Sequence, residues 1–281
     1  MPPVDQAVDA IRSRTAAWHA AGARVALVPT MGSLHAGHLA LARLARGLAD
    51  RVVVSIFVNP AQFAAGEDYP SYPRDLNGDL AKLADLADAV FAPEAAEMYP
   101  DGFATSVHVA GAAVGLETDF RPDFFTGVAT IVTKLLIAVT PDVAVFGEKD
   151  YQQLLVVRRL VADLRLPVDV AAGPIVREAD GLALSSRNAY LSAEERATAP
   201  ALYRSLVAAA AAIAGGELAM MALEEARQTL RSTGFDVDYL ELRNAATLAQ
   251  VADQTREPLR LLAAVRLGRN RLIDNVAVDR D

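Results

Sequence analysis

The 281-residue chain contains no cysteine, which excludes a disulfide framework and a thiolate metal site. It has four histidines in all, too few to favour a zinc site. Basic residues are also scarce, because 27 Lys and Arg stand against 35 Asp and Glu and give a formal net charge of -8. A nucleic-acid surface needs a basic face that displaces counterions, so no nucleic-acid partner is expected. This balance does not argue against a local anion site.

Long hydrophobic runs are missing as well. The most apolar stretches, residues 127–139 and 206–215, are short, and the first is interrupted by Lys134. The first six residues, Met-Pro-Pro-Val-Asp-Gln, contain no basic segment followed by an apolar one. We therefore predict no signal peptide and no membrane span, and we expect a cytoplasmic protein. With 281 residues the chain can hold one large domain or two modest ones, and 53% hydrophobic residues are ample for a core.

The first part of the chain alternates short β-branched runs with stretches of helical periodicity. This pattern predicts an α/β fold with a parallel sheet, helices on both faces and ligands at the carboxyl ends of the strands. The predicted strands are residues 25–28, 52–58, 89–91 and 143–146, and the predicted helices begin near Leu39, Leu76, Gly127 and Tyr151.

The pattern changes near Val176. Helices followed by antiparallel strands indicate a smaller α+β domain over residues 176–281, after a first domain over 1–175. The predicted elements are a helix at 193–214, a break at 215–216, a helix that ends before Gly234, a strand at 236–243 and a hairpin at 261–278 that turns at 268–270.

The most informative segment is residues 29–38, Pro-Thr-Met-Gly-Ser-Leu-His-Ala-Gly-His, between the first predicted strand and the first predicted helix. A strand that passes through a glycine-containing turn into a helix presents unpaired main-chain amides to an anion. His35 and His38 share one side of the first helical turn and can donate to phosphate, while Gly37 leaves room for a flat base. The spacing resembles the His-x-Gly-His signature of the nucleotidyltransferase superfamily, although alone it also fits a plain helix cap.

Three further strings follow predicted strands or precede a helix. Residues 57–63, Phe-Val-Asn-Pro-Ala-Gln-Phe, offer Gln62, whose amide can both donate and accept. Residues 147–153, Gly-Glu-Lys-Asp-Tyr-Gln-Gln, offer Lys149 as a point charge for phosphates. Residues 185–188, Ser-Ser-Arg-Asn, offer two hydroxyls and a guanidinium that could close over a triphosphate. Each string alone also fits an ordinary strand end, turn or loop.

In this order and combination, the four strings resemble the pantothenate synthetase family, closely over residues 25–191 and more weakly over 237–243 and 261–278. Enzymes of this family are ligases that join (R)-pantoate to β-alanine in pantothenate (vitamin B5) and coenzyme A biosynthesis. They use ATP, pass through a pantoyl adenylate and release AMP and pyrophosphate. The resemblance implies a Rossmann-like domain that binds ATP and pantoate, a C-terminal domain that covers the active site, Mg²⁺, and a homodimer.

The family's functional residues carry over to the matching positions. His38 would be the proton donor in a catalytic set of His38, His35, Lys149, Ser185, Ser186 and Arg187. The resemblance implies ATP contacts at Met31, Gly32, Ser33, Leu34, His35, Ala36, Gly37, His38, Gly147, Glu148, Lys149, Asp150, Val176, Leu184, Ser185, Ser186 and Arg187. It implies pantoate contacts at Gln62 and Gln153, with Gln62 also beside β-alanine, and a cleft lined by Asn59, Tyr72 and Arg121.

The implied reaction gathers negative charge on the phosphates, so cationic and hydrogen-bonding groups should carry most of the catalysis. No covalent nucleophile is needed, and Ser185 and Ser186 are interpreted as phosphate donors because no histidine and carboxylate accompany them in a nucleophile arrangement. Residues 63–74, rich in Gly, Pro and Tyr, are predicted to form a flap that keeps water from the adenylate.

Two positions depart from the family pattern. Asp79 is the candidate Mg²⁺ ligand, but the neighbouring acid of the family is Gly78 here, and Lys82 stands one turn on. This predicts that the ATP phosphates are the main ligands of the metal. The family also tends to have histidine where this chain has Phe124, which affects a polar contact near Arg121.

Three other functions share parts of this pattern. A related adenylyltransferase would keep the His-x-Gly-His turn but would need a basic acceptor pocket in place of Gln62 and Gln153. An inactive ATP-binding regulator would not need His38, Lys149 and Arg187. An RNA-binding synthetase fragment would need a cationic surface, which the acidic balance disfavours.

Overall fold

A computed structural model describes residues 1–63, 66, 69–252, 255 and 257–279 of the chain. Its main sheet contains six strands in the order β1-β4-β3-β2-β5-β6, and all neighbouring pairs run parallel. The strands are β1 (Val4–Asp5), β2 (Val25–Thr30), β3 (Arg51–Ile56), β4 (Ala89–Phe91), β5 (Val143–Gly147) and β6 (Asp169–Gly173). The predicted α/β fold with a parallel sheet is confirmed.

Helices cover both faces of this sheet. They are α1 (Val8–Ala20), α2 (Ala36–Leu48), α3 (Leu76–Lys82), α4 (Ala95–Met98), α5 (Glu117–Phe120), α6 (Phe124–Val139) and α7 (Tyr151–Asp163). Val25 and Leu27 of β2 face a core that includes residues of α1, α6 and α7, whereas Ala26 and Val28 face a core that includes residues of α2 and α3. Burial on both faces explains why this strand reads as a continuous apolar run and not as an alternating one.

The strand order changes direction between β2 and β5. From β2, the strands β3 and β4 extend to one side, while β5 and β6 extend to the other. Loops that leave the carboxyl ends of β2 and β5 therefore diverge and open a crevice at this point. The His-x-Gly-His turn follows β2, and the turn that contains Lys149 follows β5.

The C-terminal part contains three helices and an antiparallel sheet of order β7-β8-β9. The elements are α8 (Ala193–Thr198), α9 (Ala201–Ala214), α10 (Ala219–Ser232), β7 (Asp236–Asn244), β8 (Leu259–Leu267) and β9 (Asn270–Val278). Residues of α9 and α10 share a core with the three strands. The smaller α+β unit is confirmed, while its boundary at residues 175/176 stays a prediction.

Some predicted elements differ in extent. The single helix expected over Ala193–Ala214 is two helices, because the chain bends at Ala199 and Pro200, and proline supplies no N–H to continue the helix. Helices α2 and α6 begin three residues earlier than predicted, at Ala36 and Phe124. Prediction missed β1, α1 and β6, which are short or only weakly patterned.

One helical stretch of the described residues, Ala193–Ala214, is long and apolar enough to cross a membrane by length and composition alone. Half of its most apolar window is buried within the protein. Core helices of soluble proteins pass the same test, so this is weak support for a membrane span.

Candidate active site

A cleft of about 1280 Å³ opens at the carboxyl ends of β2 and β5, beneath the C-terminal hairpin. Its volume exceeds the usual range for a single small ligand. Four strings that are distant in sequence meet in its lining. The predicted residues that line it are Met31, His35, Gly37, His38, Asn59, Gln62, Tyr72, Arg121, Gly147, Lys149, Asp150, Gln153, Val176, Leu184, Ser185, Ser186 and Arg187. The predicted residues outside the lining are Gly32, Ser33, Leu34, Ala36, Asp79 and Glu148.

The two histidines form a reciprocal cap at the start of α2. The Gly37 N–H donates to Nδ1 of His35 over 3.2 Å, and the His35 N–H donates to Nδ1 of His38 over 3.4 Å. A neutral imidazole that accepts at Nδ1 carries its proton on Nε2. Each ring therefore keeps Nε2–H for a ligand in the cleft. The His35 ring lies against Gly37, since a Cβ there would be 2.9 Å from His35 Cε1, and the expected contact of Gly37 with a flat base stays a prediction.

Both histidines are neutral at physiological pH. Burial and the Lys149 charge lower the pKa of His35 to about 4, and burial together with His35 lowers the pKa of His38 to about 3. The rings can donate hydrogen bonds to phosphate oxygens but bring no positive charge of their own. A role for His38 as an acid therefore requires bound phosphate to raise its pKa.

Asp79 of α3 supports the turn before α2. Its carboxylate is buried and accepts from the main-chain N–H groups of Ser33 and Leu34, each over 2.8 Å. Lys82 donates to the Leu34 carbonyl over 2.8 Å and lies 3.5 Å from the carboxylate. Both Asp79 oxygens accept main-chain N–H groups, so Asp79 supports the residues before His35, while its role as a metal ligand stays a prediction.

The described residues do not build a Mg²⁺ cage. No cluster of three or more His, Cys, Asp or Glu side chains occurs within that part of the chain. Since Mg²⁺ prefers oxygen ligands and readily keeps phosphates and waters, the donor set fits a metal that arrives bound to a nucleotide better than one held by the protein.

The Lys149 turn is held by the C-terminal sheet. Lys149 lines the cleft and has a single carboxylate neighbour in the described residues, Asp150 at 4.0 Å. Glu148 instead forms an ion pair with Arg260 at 3.3 Å. The side chain of Glu148 therefore faces the C-terminal sheet, and an ATP contact there would come from its main chain.

Gln62 and Gln153 both line the cleft, as predicted. Gln62 donates to the Met31 sulfur over 3.0 Å and accepts from Asn59 over 3.1 Å. Gln153 has no hydrogen-bond partner in the described part of the chain, whereas its neighbour Gln152 is buried and bonded to the main chain of residues 112–117.

Asn59 positions Gln62 at the edge of the cleft. Its Nδ2 donates to Gln62 and to the Gly127 carbonyl, and its Oδ1 accepts from the Ala61 N–H and the Tyr99 hydroxyl. These four bonds use the full capacity of an asparagine amide. A substrate contact at Asn59 would have to replace one of these bonds, and the predicted contact stays a prediction.

Phe124 gives Arg121 a stacked contact. The Arg121 guanidinium lies 3.9 Å from the centre of the Phe124 ring, which favours a cation–π interaction. Arg121 also donates to Glu117 over 3.3 Å and to the Gln62 carbonyl over 3.0 Å. Arg121 is thus fixed beside Gln62 with phenylalanine at position 124.

The Ser-Ser-Arg segment closes the cleft from the other side. Ser185 caps a short helical turn by accepting from the Arg187 N–H, and Ser186 donates to the Ser33 carbonyl over 3.1 Å. The Arg187 guanidinium lies 5.9 Å from the Tyr72 ring centre. The segment therefore touches both the turn before α2 and part of the predicted flap. Residues 64, 65, 67 and 68 of that flap lie outside the described residues, and its closure stays a prediction.

The profile of the pantoate-beta-alanine ligase family matches residues 4–277. The chain belongs to the pantoate–β-alanine ligase family. It is 55% identical to a pantothenate synthetase of Rhodospirillum rubrum over 278 residues, which is 98% of this chain and 99% of that protein. The crystal structure of pantothenate synthetase from Thermus thermophilus is similar, with a TM-score of 0.91 and 47% identity over 98% of this chain and 99% of that one.

A second similar crystal structure is that of another pantoate-beta-alanine ligase, in complex with ligands. The pantoate-beta-alanine ligase from Francisella tularensis, complexed with beta-gamma ATP and beta-alanine, has a TM-score of 0.84 and 32% identity. The match covers 100% of this chain and 99% of that chain.

Sequence reasoning missed several residues that shape this ligase site. Arg177 forms a bidentate ion pair with Asp274 at 2.6 and 2.9 Å, which ties the antiparallel bridge between Arg177 and Ala183 to β9. Asn275 and Arg260 hold the Lys149 turn. These contacts join residues about a hundred positions apart, and no local pattern predicts them; the available signal was the Asp274–Asn275 pair between the apolar residues of β9.

Proposed function

We propose that the chain catalyses the ATP-dependent condensation of (R)-pantoate with β-alanine to pantothenate, AMP and pyrophosphate. One observation carries this proposal: two features meet in one cleft. They are a helix N-terminus of the kind that binds phosphate, at His35 and His38, and the side-chain amides of Gln62 and Gln153. The first suits a nucleotide, and the second suits a hydroxy acid.

In the first step, a carboxylate oxygen of pantoate would attack the α-phosphorus of ATP and displace pyrophosphate. The product is pantoyl adenylate. Negative charge accumulates on the phosphates, so stabilisation is required from charges and aligned donors. Lys149 and Arg187 supply the charge, and the Nε2–H groups of His35 and His38 together with the first amides of α2 supply neutral donors.

In the second step, the neutral amine of β-alanine would attack the acyl carbon of the adenylate. The C–N bond forms, the bond from the acyl carbon to the AMP oxygen breaks, and the amine loses its proton. Gln62 lies in the cleft, where it can contact both pantoate and β-alanine. A cleft covered by the Ser185–Arg187 side and by Tyr72 limits hydrolysis of the adenylate.

The remaining assignments are also proposals. ATP contacts are assigned to the cleft residues of the His, Lys149, Val176 and Ser-Ser-Arg segments, with pantoate at Gln62 and Gln153. We propose that Mg²⁺ binds with the ATP phosphates, and that the enzyme is a cytoplasmic homodimer, as the family resemblance implies.

The test is the release of AMP and pyrophosphate from ATP plus pantoate, with and without β-alanine, in the wild type and in His38→Ala. We expect amide formation that requires all three substrates and falls at least about a hundredfold in the variant. AMP transfer to a nucleotide acceptor, with no amide, would favour the adenylyltransferase. Tight ATP binding without any product would favour the inactive regulator.

A further inference from the structure

A single side chain of the C-terminal sheet reaches the main chain on both sides of Lys149. Asn275 of β9 is 2% exposed, and its Nδ2 donates to the Glu148 carbonyl over 2.9 Å and to the Lys149 carbonyl over 3.0 Å. These two carbonyls belong to the peptide planes that flank the Lys149 Cα. Because peptide units are planar, fixing both planes fixes the two backbone dihedrals of Lys149 and the direction in which its side chain leaves.

The Asn275 amide is itself held in place. Its Oδ1 accepts from Nε of Arg260 over 2.7 Å, which determines which end of the amide faces the two carbonyls. Arg260 also forms the ion pair with Glu148 and stacks on the Tyr151 ring, 4.3 Å from its centre. The three residues Glu148, Arg260 and Asn275 therefore form one network around the Lys149 turn.

The neighbouring residue of β9 holds the other nucleotide-facing segment. Asp274 is 3% exposed and accepts both arms of Arg177, which also donates to the Gly181 carbonyl over 3.0 Å. Two consecutive buried polar residues thus tie the C-terminal sheet to both loops that face the cleft. Apolar residues would have sufficed for packing alone, and buried polar groups are costly unless every bond is made.

We propose that Asn275 is a positioning residue for Lys149: by fixing the two peptide planes around it, Asn275 aims the Lys149 ammonium at the phosphates of a nucleotide. This rests on the proposed function only in that the nucleotide is ATP. The C-terminal domain then contributes to the reaction through the β5 turn as well as by covering the cleft.

A double-mutant cycle on ATP affinity tests the coupling. Asn275→Ala and Asn275→Asp are each made in the wild type and in Lys149→Ala, and the ATP dissociation constant is measured by calorimetry. Asp keeps the size and the acceptor for Arg260 but, as a carboxylate, donates nothing to the carbonyls. In the background that retains Lys149, we expect both substitutions to weaken ATP binding about tenfold. In the Lys149→Ala background, we expect them to weaken it by less than about twofold.

Equal losses in the two backgrounds, or an Asp variant that binds ATP like the wild type, would overturn the proposal in favour of simple packing. Asn244→Ala is the control, because Asn244 is also a buried asparagine of this sheet, but its side chain bonds Ala246, Thr247 and Glu257, outside the cleft. It should lower the unfolding midpoint without changing ATP affinity.

Should Asn275→Ala not fold, Arg260→Met provides a cycle on the whole network, since it removes both the bond that orients the Asn275 amide and the ion pair with Glu148. The same criteria apply: loss of affinity that depends on Lys149 supports positioning, and loss independent of Lys149 contradicts it. ATP binding is measured without pantoate and β-alanine, so the result is independent of product formation. A wild type that makes no pantothenate would overturn the proposed function alone.

Discussion

The rings of His35 and His38 lie 4.1 Å apart, centre to centre, and each accepts a main-chain N–H at Nδ1. The cap of α2 thus sets the tautomer of both histidines and leaves Nε2–H for a ligand. The same contacts that begin the helix prepare two neutral donors at its positive end.

The first prediction separates the two nitrogens of His38. A glutamine amide can replace the donor at Nε2, whereas an asparagine amide is positioned to replace the acceptor at Nδ1. We expect His38→Asn to slow pyrophosphate release by about a hundredfold or more, as for loss of a transition-state donor, and His38→Gln to be at least about tenfold faster than His38→Asn. Higher activity in the asparagine variant would indicate that the helix cap, not phosphate donation, is the role of His38.

The second prediction concerns pH and stability. The folded-state pKa of His38 is about 3, below its ordinary value near 6.5. Between these values the unfolded chain binds a proton that the folded chain does not, so the free energy of unfolding falls as pH falls from about 6.5, by at most about 1.4 kcal/mol per pH unit. Above this window the contribution is constant.

Urea unfolding of the wild type and His38→Gln at pH 4.5, 5.5, 6.5 and 7.5 measures this contribution as the difference between the two proteins. Taking the difference removes the contribution of the carboxylates, which both proteins share. We expect the wild type to lose more stability toward low pH than the variant. Parallel curves would show that folding does not lower the pKa of His38.

The third prediction concerns Asp79. Asp79→Asn places an amide NH₂ against one of the two N–H groups of Ser33 and Leu34, so we expect a loss of about 1–3 kcal/mol of stability and weaker ATP binding. The Mg²⁺ concentration for half-maximal activity should not change. A large increase in that concentration would identify Asp79 as a metal ligand.

The control for Asp79 is Asp75→Ala, at the start of the same helix. Asp75 caps α3 by accepting from the Gly78 N–H over 2.9 Å and does not touch the turn before α2. We expect it to lose about 1 kcal/mol of stability, as for other N-cap substitutions, with ATP affinity unchanged.

The fourth prediction uses the packing of α6. A Cβ at Gly127 would overlap the Ala61 carbonyl oxygen and approach the Gln62 N–H. Gly127→Ala should therefore cost about 1–3 kcal/mol of stability and raise the KM for pantoate, because Gln62 must shift. Gly47→Ala in α2, where a Cβ meets nothing within 4 Å, should be neutral or stabilising and leave KM unchanged. An unchanged pantoate KM in Gly127→Ala would show that Gln62 does not contact pantoate.

Local sequence patterns were enough to predict the parallel α/β fold, the C-terminal α+β unit and the segments that meet in the cleft. These features follow from periodicity and from turns such as residues 29–38, where the order of residue types dictates a strand, a turn and a helix. The family resemblance added the reaction, because four strings in order are far more specific than any one of them.

The roles of several polar residues, by contrast, depend on how the chain folds in three dimensions. Asp79 is a turn support, Asn59 is an orienting amide, and Asn275 reaches the Lys149 turn from a different sheet. A sequence specifies that an amide or carboxylate is present, but its hydrogen-bond partners depend on which main-chain groups the fold brings within about 3 Å. The lowered pKa values of His35 and His38 also arise from burial, which no spacing of residues encodes.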